Sequence, residues 1–134
     1  MRKNSLLYTA FALVVILGVL HFIAKAFYFY WTIWWFDNMI HFLAGFAGGL
    51  IALWFLFDSN IFYRRFPKTF ESISSALASV MVFGIAWEIF EYANDITQAT
   101  EGYVPDTFHD FFFDALGAVL AGLVGARRSL HAKN

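Results

Sequence analysis

The sequence predicts an all-α membrane protein: one domain, residues 1–134, built as a bundle of four spanning helices with a short interfacial aromatic segment. Three observations predict it. First, the chain is 60% hydrophobic and only 14% charged, with a mean hydropathy of +0.62, outside the range of an ordinary soluble domain. Second, its apolar residues fall into four runs near the ~20 residues that cross a bilayer core. Third, Lys and Arg gather in alternate connections, as the positive-inside rule requires. A formal net charge of −1 argues against nucleic acid as a partner. Cysteine is absent, so disulfides and thiolate metal sites are excluded.

Arg2 and Lys3 precede the first apolar run, residues 6–24. A cleaved signal peptide has an apolar core of only ~7–15 residues and a polar segment after it. Here the run is longer and aromatic residues follow, so an uncleaved helix is expected. Residues 26–36, AFYFYWTIWWF, read as an interfacial segment or short surface helix, because Trp and Tyr settle at the membrane–water boundary. The competing reading is a simple continuation of the first span. A second span is expected at 38–57, then a polar connection carrying Arg64, Arg65, Pro67 and Lys68. The third span is expected at 74–93, followed by a loop with Asp95, Glu101 and Gly102. The fourth is expected at 107–126, with Thr107 as its N-cap. Arg127, Arg128 and Lys133 close the chain. With the N-terminus inside, eight of the nine basic residues lie on the cytoplasmic side. Both termini are therefore expected in the cytoplasm, in a bacterial-type inner membrane.

That orientation brings acids and histidines to one level near the outer surface. The second span opens there with Asp37 and His41, the third closes with Glu88 and Glu91, and the fourth opens with Asp106, His109, Asp110 and Asp114. Residues three or four apart share a helix face. Asp106, Asp110 and Asp114 form one column, continued by Gly117, Ala121 and Gly125. Asp37 and His41 lie above Gly45 and Gly49, and Glu88 and Glu91 above Gly84. Small residues let helices approach closely in a membrane. The expected picture is a set of helices packed through small residues and flaring around a polar pocket. His21 and Lys25 are placed to form a fourth wall. His109 sits about a quarter turn off the acidic column.

A carboxylate at mid-helix in a bilayer costs roughly 2.5–3.5 kcal/mol on insertion scales, so such groups need partners. One solution is a divalent metal, with Asp37, His41, Glu88, Asp110 and Asp114 as ligands and Glu91 as general base. Carboxylate and imidazole suit Zn²⁺, Mn²⁺ or Fe²⁺. A second is shared or relayed protons, which suits a binding or transport protein. A third is an ion pair with Lys25 or a cationic substrate group. The expected functions follow: metal-assisted chemistry on a lipid or lipid-linked envelope molecule, ion- or proton-coupled binding or transport, or an accessory role in which the cluster only fixes helix register. Arg64, Arg65, Arg127 and Arg128 are read as topology determinants touching anionic lipid.

Three elements, FDNMIHFLAGFAGG (Phe36 to Gly49), WEIFEY (Trp87 to Tyr92) and DTFHDFFFDALGA (Asp106 to Ala118), resemble the YjdF-like family of small bacterial membrane proteins and, more distantly, the VanZ-like family. The YjdF-like match is closer, because Asp114-Ala115-Leu116 stands where VanZ-like proteins have Asn-Thr before the glycine. The resemblance implies a four-span membrane fold. Its VanZ-like side implies a link to the cell envelope and glycopeptide resistance, with no residue roles attached.

Overall fold

A computed structural model describes residues 4–63, 65–94 and 102–131. The helices are α1 (Ser5–Ala26), α2 (Phe29–Thr32), α3 (Phe36–Leu53, extended by a π-helical turn over Trp54–Asp58), α4 (Thr69–Ala93) and α5 (Tyr103–His131). No strand occurs among the described residues. Four of these helices are long and apolar enough to cross a membrane, as the four apolar runs predict. The expectations for Arg2, Lys3, Arg64, Asp95, Glu101 and Lys133 fall outside the described residues.

Several helix ends lie beyond the expected limits, each for a local reason. α4 starts at Thr69, not 74. The Glu71 carboxylate accepts the Lys68 backbone N–H at 3.3 Å and pairs with the Arg65 guanidinium, which caps the early turn. α5 starts at Tyr103, not 107. Gly102, at φ 93°, turns the chain into the helix, and Pro105 sits in its first turn, where a missing N–H costs nothing. Thr107 is therefore no N-cap. Its hydroxyl instead donates to Glu88 Oε2 at 2.7 Å. At the far end α5 runs on to His131, held by an ion pair between Arg128 and Asp58. Arg128 is thus a bridge from α5 to the end of α3.

The aromatic stretch does not continue α1. The chain breaks at Tyr28, whose φ is 59°, makes the single turn of α2, extends at Ile33 and re-enters helix at Phe36. Thr32 Oγ1 donates to the Tyr28 carbonyl at 3.0 Å and tightens the turn.

α3 is the hub and packs on α1, α4 and α5. It runs parallel to α5: Gly45 lies against the Asp114 backbone, Gly49 against Ala121 and Gly125 against Leu53. α4 is antiparallel to both. Gly84 meets Asp114 and Phe111 near one end, and Ile73 and Ser72 meet Gly122 and Gly125 near the other. α1 is antiparallel to α3, with Leu6 and Ala10 packed in one core with Leu53 and Phe57. Trp54 Nε1 adds a 3.3 Å hydrogen bond to Asn4 Oδ1. A Cβ on Gly45 or Gly117 would run into the backbone of Asp114 or Phe42, so α3 and α5 meet almost backbone to backbone.

This topology sorts the polar residues. Asp37, His41, Glu88, Glu91, Asp106, Asp110 and Asp114 lie at one end of the bundle; the Arg65–Glu71 and Asp58–Arg128 pairs lie at the other.

Candidate functional site

Two short ladders face each other across the α3–α5 contact. Asp37 and His41 are one turn apart on α3; Asp110 and Asp114 are one turn apart on α5. The helices are parallel and touch through Gly45 and Gly117, so the ladders stand at one depth. His41 Nε2 lies 3.3 Å from Asp110 Oδ1 and 3.9 Å from Asp37 Oδ1. His41 Nδ1 lies 3.4 Å from Asp114 Oδ1. Ligand atoms of Asp37, His41 and Asp110 all fall within 4.8 Å of one another. Asp110 is 2% exposed, and its Oδ1 is buried without a hydrogen bond. Its near partner is the His41 ring nitrogen at 3.3 Å, and a buried carboxylate oxygen needs a positive charge beside it, an imidazolium or a bound cation. Gly84 makes room for the last member, since a Cβ there would come within 3.2 Å of Asp114 Oδ2.

The expected site residues divide into three groups. Asp37, His41, Asp110, Asp114, Asp106 and Glu91 line one cavity of about 1040 Å³. Glu88 is buried, but it is off the cavity wall and bonded to Thr107 on α5. It is one turn from Gly84, on the flank of α4 that meets α5, and its charge still acts on Asp37, Asp110 and Glu91. His109 is exposed and lines no part of the cavity, because one residue from Asp110 is 100° around the helix. Lys25 is exposed at the end of α1. Among the described residues, His41 is a cation-capable group set among these acids.

His21 does reach the site, through a partner that sequence reasoning missed. Its Nδ1 lies 2.8 Å from the Tyr30 hydroxyl, and both residues line the cavity. Burial, then the charges of Asp37 and Glu91, push the Tyr30 phenol up to about 12. A phenol that keeps its proton can donate it to His21. Tyr30 was hidden among the aromatics of an interfacial stretch. Only the backbone reversal at Tyr28 turns it inward.

These features define a polytopic helix-bundle membrane protein with a carboxylate–histidine cluster between two parallel helices. Over residues 1–131 the sequence matches the family described as predicted membrane protein, DUF2238, which is the YjdF family. The chain belongs to that family. No curated protein and no solved structure matches it.

Proposed function

We propose that Asp37, His41 and Asp110 form a divalent-cation site serving chemistry on a lipid or lipid-linked envelope molecule at the outer face of a bacterial-type inner membrane. One observation carries the proposal: three ligand atoms lie within 4.8 Å of one another, one of them a buried carboxylate oxygen that makes no hydrogen bond and whose near partner is the His41 nitrogen at 3.3 Å. A cation would satisfy that oxygen. His41 Nε2 would be the nitrogen ligand, and Nδ1–H would donate to Asp114. This is the outer-shell arrangement that orients metal-bound histidines. Asp114 therefore becomes a positioning residue, and Glu88 leaves the expected ligand set. Three protein ligands leave a position open for water or substrate. Oxygen and imidazole donors favour Zn²⁺, Mn²⁺ or Fe²⁺. Held there, such an ion would polarise a substrate oxygen or activate water, and Glu91, on the same cavity wall, is placed as general base. The gathering of basic residues at the opposite end supports an outward-facing site and cytoplasmic termini. The VanZ-like resemblance supports the envelope setting.

Elemental analysis of the purified protein tests this. Wild type should carry a stoichiometric divalent metal after exposure to it, and Asp110→Asn and His41→Ala should not. The rival reading is a proton-coupled binding or transport site in which His41 itself is the cation. It draws support from the carboxylates facing both ring nitrogens. Absence of metal from folded wild type would overturn the metal reading in its favour.

A further inference from the structure

The cavity is not a closed chamber at the polar site. It continues along α3 and α4 as an open cleft. From the acidic end it passes Ala44, Gly48, Ala52 and Phe55 on α3, and Trp87, Phe83 and Ala78 on α4. From Asp37 to Phe55 is 18 residues, so on the order of 27 Å at ~1.5 Å per residue. That is close to the ~30 Å thickness of a hydrocarbon core. The volume of about 1040 Å³ stands at the top of the ~300–1,000 Å³ usual for ligand pockets. Among the described residues every carboxylate that lines the cleft is at one end, and the remainder is almost wholly apolar.

We propose that this cleft seats one hydrocarbon chain of a phosphate-headed lipid, with the phosphate at the Asp37–His41–Asp110 site. The chain assignment rests on shape and polarity. Ala44, Gly48 and Ala52 step by four along α3 and keep the floor low. A Cβ on Gly48 would meet only Val80 Cγ2 at 3.5 Å, ordinary contact, so this glycine is not required by a helix–helix approach. Phe83 and Val82 on the rim are 75% and 66% exposed. The cleft is therefore open sideways, and a chain would enter it without leaving hydrocarbon. The headgroup assignment rests on the proposed cation site. Among the described residues neither Lys nor Arg lines the cleft, and bare carboxylates repel phosphate. A cation held by three protein ligands would present an open position to a phosphate oxygen.

The test uses the full chain in vesicles of phosphatidylethanolamine and phosphatidylglycerol. The probe is palmityl phosphate carrying a diazirine near the tail, with Mn²⁺ or with a chelator, and the matching uncharged alcohol is the control. Photolabel is expected at Ile51, Ala52 and Phe55, with phosphate and Mn²⁺ together. Ala44→Leu and Ala78→Phe fill the cleft from positions exposed in the fold, so the bundle should remain intact. Each should lower cleft labelling by about tenfold, the factor that ~1.4 kcal/mol of lost binding gives. Label spread over α1 and indifferent to both variants would overturn the chain seat, whatever metal analysis shows. Cleft labelling that is equal with chelator and with the alcohol would overturn the phosphate head, and that failure belongs to the cation site. The chain has no cysteine, so Ala78→Cys gives a clean check on the other occupant. Oxidative dimerisation that excludes the probe would show a second copy in the cleft and overturn the proposal.

Discussion

α3 presents two faces built from the same kinds of small residue, and they behave in opposite ways. On the face toward α5, a Cβ on Gly49 would come 2.6 Å from Ala121 Cβ, and one on Gly45 would strike the Asp114 backbone. On the face toward the cleft, Gly48 has room for a side chain, and Ala44 is exposed. The first face uses smallness to bring backbones together; the second uses it to leave space. Glycine spacing in a membrane helix therefore does not by itself report a helix contact. What matters is whether a second helix has taken the vacated volume.

Substitutions can break or sharpen that contrast. The largest effect is expected at Gly117→Leu. Its side chain would have to enter the Phe42 and Phe46 backbone, so the folded bundle should be lost, read as aggregation or loss of the monodisperse peak in detergent. Gly49→Ala is milder, one methyl forced against Ala121. Overpacking of this kind costs about 1–3 kcal/mol, measurable by denaturant or SDS titration. Thr107→Val removes the hydrogen bond to Glu88 and should cost roughly 1 kcal/mol by the same titration. On the cleft face the sign reverses. Gly48→Ala gains helix propensity, so it should be neutral or stabilising by up to about 1 kcal/mol; a loss as large as that of Gly49→Ala would erase the distinction between the faces.

The smallest effect concerns Tyr30 at the cleft mouth. Its phenol, ordinarily near 10, is raised to about 12, so folding favours the protonated form. That contribution is fully present below pH ~10 and is lost as pH rises through about 12. Absorbance titration should show one late phenolate step, removed in Tyr30→Phe. A single step near pH 10 for all tyrosines would mean that Tyr30 does not face Asp37 and Glu91.

Much of the site could be read from residue spacing. Asp37 with His41, and Asp110 with Asp114, announce themselves as pairs one turn apart. The alternation of basic residues predicts which helix ends lie at the same level, and the antiparallel packing of α4 on α3 and α5 agrees. The rest depended on how each helix is rotated about its own axis. Glu88 and Glu91 are equally acidic and three residues apart, yet one bonds Thr107 and the other lines the cavity. His109 and Asp110 are neighbours, yet one is exposed and the other 2% exposed. Asp58 and Arg128 are 70 residues apart, and no local signal joins them. Periodicity says which residues share a face; it does not say what that face meets.

The amino-acid order determined the class of protein, the number of apolar spans, the common level of the acids on α3, α4 and α5 and the stripes of small residues. Each of these follows from hydrocarbon's intolerance of polar groups and from 3.6 residues per turn. The tertiary structure decided which small-residue stripe became a contact and which a cleft, and which acids share His41. Those outcomes depend on helix rotation and on contacts between distant segments, and close packing selects among rotations that sequence spacing leaves equivalent.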